Sequence, residues 1–142
     1  MSVGTYLELR EYIEGLLAGF SVPVYMVDQP FDPPPLSENG ADPAAYVVCD
    51  PIRVGYAETI TATKAGEISG DVCFIIYVDK RTGDAPILTL AEELRTLFLA
   101  ASEVEGNLDF TEPRPDRAMS FTGDDAGRLA RQFFQPFHWV RG

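Results

Sequence analysis

The first segment with regular hydrophobic spacing lies near the start of the chain and predicts an amphipathic helix. Counted from Tyr6, its apolar side chains fall at i, i+3, i+7, i+10, i+11 and i+14 and end at Phe20. They therefore share one face of a helix. Thr5 and Glu8 have the spacing of a capping box, in which two side chains satisfy backbone N–H groups at a helix start. Gly19 suits the left-handed conformation that commonly closes a helix.

A second helix is predicted from Pro86 to Ser102. Apolar residues between Ile87 and Ala101 nearly repeat the spacing of the first segment and again share one face. Proline is tolerated in the first turn, because the N–H that it lacks would have no partner within the helix.

Alternating patterns predict several strands. In Ser69–Asp79, apolar residues occupy both alternating faces, which is typical of a central strand covered on two sides. Pro51 is expected to end a preceding strand, and Pro136 to lie at an edge or a bulge of the last one. The acidic, glycine-containing segment 124–127 predicts a hairpin turn. The remaining strands are predicted at 23–28, 45–50, 107–112, 117–122 and 128–140, with a hairpin arm at 52–65 that turns at 64–67.

A proline-rich loop is predicted at residues 29–44. Proline fixes φ and lacks a backbone donor, so this segment can form neither a helix nor a central strand. A loop of this length is uncommon in a compact domain unless it has a function or is disordered. Its aromatic tip, Phe31, either packs back on its own domain or inserts between neighbouring subunits. The residues that define the loop are Pro30, Phe31, Pro33, Pro34, Pro35 and Pro43.

The order of elements is helix, several strands, helix, several strands, without an internal repeat or an interdomain linker. This order predicts one α+β domain over residues 1–142: a two-layer sandwich with two main helices on one face of a mostly antiparallel β-sheet. Two helices cover only one face of such a sheet. The other face requires polar residues or a partner.

The charge of the chain is strongly negative. Its 22 acidic residues against 11 Lys and Arg give a formal net charge of −11. A surface of this kind repels phosphate backbones, so ordinary nucleic-acid binding is disfavoured. The acidic charge has two interpretations. The chain is an ordinary acidic soluble protein, or it forms an acidic surface along which DNA slides without binding. No apolar run approaches the ~20 residues of a membrane span, and the first residues do not form a secretory signal pattern.

Residues with catalytic potential are sparse in the sequence. His138 is the only histidine, and a single histidine without clustered cysteines cannot form a typical zinc site. Cys49 and Cys73 lie in apolar runs, where burial disfavours the thiolate. Residues 79–84 resemble a metal loop only superficially and are interpreted as a charged turn. Phosphate-loop and common hydrolase motifs are absent from the sequence. We therefore expect no enzyme, no metal and no cofactor.

The remaining unusual feature is the concentration of arginine and aromatic residues near the end of the chain. The arginines near the end of the chain could form a basic patch that complements an acidic surface on a neighbouring copy of the protein. Aromatic residues left outside the core would add a contact surface. With the proline loop, the candidate interface residues here are Arg114, Arg117, Arg128, Arg131 and Trp139.

These features together resemble the tail-terminator (tail-completion) proteins of long-tailed, siphovirus-like bacteriophages and gene-transfer agents. That family shares the amphipathic first helix, a proline loop, a long central strand after a glycine, a second helix and a C-terminal hairpin. The segments that carry the resemblance are 25–35, 43–48, 70–78, Gly83 with 90–98, and 125–140. The chain departs from the family pattern in two places, because the proline loop lacks the expected asparagine and the final strand contains Pro136.

The resemblance implies a structural virion protein, assembled in the host cytoplasm and located at the head–tail junction. It implies a homo-oligomeric ring, a hexamer, that caps the tail tube and stops its polymerisation. The ring then binds the head–tail connector, or stopper, protein. DNA passes through the lumen without specific binding, and no membrane is involved.

Three alternatives remain open at this stage. Another head–tail connector or head-closure protein would bind the head side rather than the tube end. A small-ligand-binding or enzymatic α+β domain would use a pocket between helices and sheet. A stand-alone adaptor would bind one partner through the proline loop without forming a ring.

Overall fold

The computed structural model describes residues 3–34, 45–60, 65–101, 106–112, 119–125 and 127–141. Two α-helices and six strands are formed within these ranges. The helices are α1 (Tyr6–Leu17) and α2 (Ala85–Ala101); the strands are β1 (Val24–Met26), β2 (Tyr46–Ile60), β3 (Ala65–Asp79), β4 (Leu108–Phe110), β5 (Met119–Asp125) and β6 (Arg128–Arg141). A short 3₁₀ helix, Lys80–Thr82, leads from β3 towards α2.

The strands form one sheet in the order β1-β2-β3-β6-β4, with β5 also paired to β6. The β1–β2 pair is parallel, and the other pairs are antiparallel. Both helices pack against the sheet, so the predicted α+β class is confirmed. The prediction that the strand ending at Asp79 lies in the middle of the sheet is also confirmed, because β3 pairs with β2 on one side and β6 on the other.

The hydrophobic core lies between the helices and one face of the sheet. Alternate residues of β3, from Val72 to Val78, point into it and are fully buried. Most residues of the two predicted apolar faces are buried in it, but Tyr6 is 40% exposed. A fully buried large apolar side chain contributes roughly 1.5–3 kcal/mol relative to an exposed one. The buried helical residues are Leu9, Ile13 and Leu17 in α1, and Ile87, Leu90, Ala91, Leu94, Phe98 and Ala101 in α2.

Thr5 caps the start of α1 as predicted, but the reciprocal bond of a capping box, from the Thr5 backbone N–H to Glu8, is not formed. The end of the helix also departs from the prediction. The Thr5 hydroxyl accepts a hydrogen bond from the Glu8 backbone N–H at 3.1 Å and donates one to Glu8 Oε1 at 3.0 Å. The helix ends at Leu17, and Ala18 caps it in a right-handed conformation with φ of −60°. Left-handed glycines in the described residues are Gly83 and Gly127, so the prediction for Gly19 is wrong.

Pro51 does not end a strand, contrary to the prediction. β2 continues to Ile60, and the register with β3 shifts between Asp50 and Arg53. This bulge interrupts the ladder where proline cannot donate. It also brings the Arg53 carbonyl against Gly70 of β3, where a Cβ would lie 2.1 Å from the carbonyl oxygen. Glycine at position 70 is therefore required by close approach of the two backbones.

Pro136 lies in an interior strand and not at an edge or a bulge, so this prediction is also wrong. It pairs in continuous register with Asp71 of β3. Its carbonyl oxygen accepts a hydrogen bond from the Thr111 N–H at 3.2 Å, so its nitrogen also faces away from β3. On that side β5 pairing ends at Phe133 and β4 pairing begins at Phe137. The missing N–H therefore removes no bond between β3 and β6.

Both predicted hairpin turns overlap residues that belong to strands. Gly127 has φ of 82° and immediately precedes β6, as expected for the hairpin turn. Asp124 and Asp125 already belong to β5, so the turn predicted at 124–127 begins too early. In the β2–β3 hairpin, Ala65–Glu67 already belong to β3, so the turn does not lie at 64–67. The connection falls at 61–64, outside the described residues.

Candidate functional site

The face of the sheet opposite the helices, called the open face here, carries a group of aromatic residues and arginines. Alternation along the strands places the side chains of Tyr46, Cys73, Ile75, Tyr77, Arg128 and Phe134 on this face. Ile75, Tyr77 and Phe134 are half-buried. This face therefore presents apolar surface that neither helix covers.

One end of the open face is covered by a row of stacked aromatic rings. Phe31, from the proline loop, stacks on Tyr25 with ring centroids 4.7 Å apart. Tyr46 stacks in the same way on Tyr77 at 4.6 Å, and it meets Tyr25 edge-on at 5.9 Å. These four rings, called the aromatic row, connect the loop with β1, β2 and β3. The start of the proline loop thus packs back on its own domain.

Arg128 fixes the loop against the aromatic row. Its guanidinium lies 5.1 Å from the ring centroid of Tyr46 and donates a hydrogen bond to the carbonyl oxygen of Pro34. Arg128 is buried beside Asp79, its cross-strand partner. Burial strengthens both contacts because little water competes for the charge.

Asp79 closes this end of the open face as a buried carboxylate. It accepts hydrogen bonds from the backbone N–H of Arg81 at 2.9 Å and from its guanidinium at 2.7 Å. The side-chain bond from Arg81, its backbone bond and the charge of Arg128 all lower the pKa of Asp79. The carboxylate therefore stays ionised, and its bonds begin the 3₁₀ helix that leads into α2.

The middle of the open face contains an arginine that the sequence analysis did not single out. The Arg53 guanidinium lies 5.3 Å from the ring centroid of Phe134. Burial raises the pKa of the Cys73 thiol, and Arg53 opposes the rise. Arg53 is exposed, so its charge remains available to a partner on this face.

The two cysteines lie on opposite faces of the sheet. Cys49 is paired with Phe74, and Cys73 with Asp50, so Cys49 points towards the helices and Cys73 towards the open face. Both are free and buried, and burial raises the pKa of the Cys49 thiol. The register therefore prevents a disulfide between them.

The only histidine lies towards the far end of the open face. His138 Nε2 is 3.8 Å from Glu67 Oε1, and both side chains are more than a third exposed. No group of three His, Cys, Asp or Glu side chains within the described residues is arranged to hold a metal ion. Asp79 and Asp84, from the loop that superficially resembled a metal site, each bind an arginine.

The predicted interface arginines do not form one patch in the described part of the chain. Arg128 and Arg131 lie on opposite faces of β6. Arg131 binds both carboxylate oxygens of Asp84, at 2.7 and 2.8 Å, and so ties β6 to the start of α2. Arg114 and Arg117 lie outside the described residues.

Trp139 is not available as a contact surface, so its inclusion as an interface residue is wrong. Its side chain is fully buried, and its indole N–H donates to the carbonyl oxygen of Val3 at 2.9 Å. The indole is large and apolar, and it fills the core between β6 and the start of α1.

The loop residues have mixed positions. Phe31 and Pro34 are half-buried, whereas Pro30 and Pro33 are exposed; Pro35 lies outside the described residues. The aromatic row was missed because it depends on register. Alternation alone places Tyr77 on the face of Cys73 and Ile75, but only the pairing of Tyr46 with Tyr77 brings the rings together.

A comparison of the chain with protein-family models and with curated proteins gives no match. Within the described residues, no helix is both long and apolar enough to cross a membrane.

Proposed function

We propose that this chain is a structural virion subunit of the tail-terminator type. In this proposal it forms a ring, hexameric as the resemblance implies, that caps the tail tube and stops its polymerisation. The ring then joins the tail to the head–tail connector, and DNA passes through its lumen. The protein acts through the geometry of its interfaces and not through catalysis.

The observation that supports the proposal most is the open face. Helices cover one side of the sheet, whereas the other carries half-buried Ile75, Tyr77 and Phe134 beside the exposed charge of Arg53. Arginine and aromatic residues are enriched in protein–protein interfaces, and this face carries both. A neighbouring subunit in a ring is the partner that the proposal places on this face.

The order of elements agrees with the resemblance. A proline loop follows the first short strand, a long strand occupies the middle of the sheet, and a hairpin closes the chain. The net charge of −11 suits passage of DNA, because an acidic lumen repels the phosphate backbone and does not retain it.

A polymerisation assay tests this function. Tail-tube protein from the same phage or gene-transfer agent as this chain is purified and allowed to assemble. Tube growth is followed by light scattering with and without the chain. We expect growth to stop at substoichiometric amounts, because one ring suffices for each tube end. Unchanged growth would contradict the proposal, and binding to the head connector alone would favour a head-closure protein.

A pair of variants connects the assay to the open face. Phe134→Glu places a charge among apolar residues at the proposed subunit contact, and we expect it to abolish the effect on growth. Leu7→Glu introduces the same charge at a position on α1 that is 65% exposed, and we expect it to retain activity. Equal activity of the two variants would remove the open face from the proposed interface.

A further inference from the structure

A groove on the helical side of the molecule is separate from the open face. It lies between the turn after α1 and the outer side of α2, and has a volume of about 920 Å³. Phe20, Leu88 and Leu97 provide its apolar lining. Leu88 is 54% exposed, although the outer side of a surface helix normally carries polar residues. Phe20 and Leu97 are half-buried against the core, so Leu88 is the lining residue that contributes most of the exposed apolar surface.

One wall of the groove is formed by α2. Two rows of α2 line it, with residues four apart in each: 88, 92 and 96, and 89, 93 and 97. Such rows are the ridges against which a second helix packs. Strand addition requires a free sheet edge, whereas α2 presents side chains whose backbone is already hydrogen-bonded. An amphipathic helix is the occupant that matches this lining.

The charge around the groove is acidic. Glu92 has a side chain 68% exposed, and Glu93 accepts a hydrogen bond from the Ser21 hydroxyl at 2.7 Å. The described lining residues include these two carboxylates and no basic side chain. Arg95 binds Glu92 from outside the groove at 3.1 Å and is also bound to Glu112. The net potential therefore favours a cationic partner.

We propose that this groove binds a basic amphipathic helix of a partner protein. Apolar side chains of that helix lie between Leu88 and Leu97, and its Lys or Arg residues face Glu92 and Glu93. The inference goes beyond the proposed function, because it requires neither a ring nor a tail tube.

The test uses synthetic helices as probes. A fluorescein-labelled amphipathic peptide of leucine and lysine is titrated with the full chain at physiological salt, and binding is followed by fluorescence anisotropy. A second peptide has every lysine replaced by glutamate. We expect micromolar binding of the leucine–lysine peptide only. Absence of binding, or equal binding of the acidic peptide, would overturn the proposal.

Paired variants distinguish the groove from general attraction to an acidic protein. Leu88→Ala is compared with Leu7→Ala, since both leucines are exposed helical residues. Glu92→Gln/Glu93→Gln is compared with Glu11→Gln/Asp109→Asn, which removes the same charge at exposed sites elsewhere. Each groove variant should weaken binding about tenfold or more, and each control less than about twofold. Equal losses in variant and control would overturn the assignment.

Self-association is a separate outcome. Sedimentation of the wild type and of Leu88→Ala, each without peptide, shows whether a second copy of the chain occupies the groove. We expect Leu88→Ala to leave the sedimentation coefficient unchanged. A shift from a larger to a smaller species would assign the groove to contacts between copies and overturn the proposed partner.

Discussion

The guanidinium of Arg128 donates a hydrogen bond to the carbonyl oxygen of Pro34, a residue 94 positions earlier in the chain. The same guanidinium lies over the ring of Tyr46. One buried side chain of β6 therefore holds the proline loop on the open face of the sheet. Loss of the Arg128 contacts would expose the aromatic row to water.

Removal of this contact should release the start of the loop. The hydrogen bond and the cation–π contact are each worth about 1 kcal/mol, which corresponds to a roughly 5- to 30-fold larger released population. We expect Arg128→Ala to accelerate chymotrypsin cleavage after Phe31 by such a factor, as measured by mass spectrometry. Arg131→Ala is the control, because Arg131 lies on the other face of β6 and binds Asp84. Equal cleavage rates in the two variants would contradict the role of Arg128.

Gly70 should not tolerate even one additional methyl group. A Cβ there would lie 2.1 Å from the Arg53 carbonyl oxygen and 3.0 Å from Phe137. Because backbone must move, we expect Gly70→Ala to lower the free energy of unfolding by about 1–3 kcal/mol in urea denaturation. Gly15→Ala, within α1 and without a neighbour inside 4 Å, should raise it by roughly 0.5–1 kcal/mol. A neutral Gly70→Ala would show that the bulge is not closely packed.

Trp139 should stabilise the fold and take no part in an interface. Its side chain is fully buried, and we expect Trp139→Ala to lower the free energy of unfolding by about 3–5 kcal/mol, measured by circular dichroism in urea. The control Leu7→Ala changes a residue that is 65% exposed and should stay within about 0.5 kcal/mol. A small loss for Trp139→Ala would indicate that this side chain is not in the core.

The buried carboxylate of Asp79 should make the free energy of unfolding depend on pH in the acidic range. Its pKa in the folded state is lowered by Arg81 from an ordinary value of 3.8. Unfolding therefore binds a proton as the pH falls below about 4, and the stabilisation is lost as the pH reaches the folded-state pKa. At neutral pH, Asp79→Asn should be less stable than the wild type.

The difference in the free energy of unfolding between wild type and Asp79→Asn should become smaller as the pH falls from 5 to about 2. Urea unfolding across this range measures it, with Asp109→Asn on β4 as an exposed control. A difference that stays constant with pH would show that the ionised form of Asp79 contributes no stability through Arg81 and Arg128.

Much of the fold follows from local pattern. The helical spacing from Tyr6 and the apolar alternation up to Asp79 both predict elements that the structure contains, because periodicity records which face is buried. Pro51 and Pro136 misled the prediction for a physical reason. The cost of a proline in a strand depends on whether its nitrogen faces a partner, and that depends on pairing between distant segments.

The sequence predicts less of the candidate site than of the fold. Phe31 was recognised as an unusual aromatic residue, but its stacking on Tyr25 depends on the path of the loop. Arg53 carries exposed charge on the open face only because the bulge after Asp50 changes the register. Surface assignments of this kind require tertiary pairing, which residue spacing does not determine.

The most direct test of the proposed terminator function is negative-stain electron microscopy of the protein alone and mixed with tail tubes. We expect rings of one size, or a cap on one end of each tube beyond which no growth occurs. A uniform monomer that binds neither tube end and leaves tube length unchanged would contradict it.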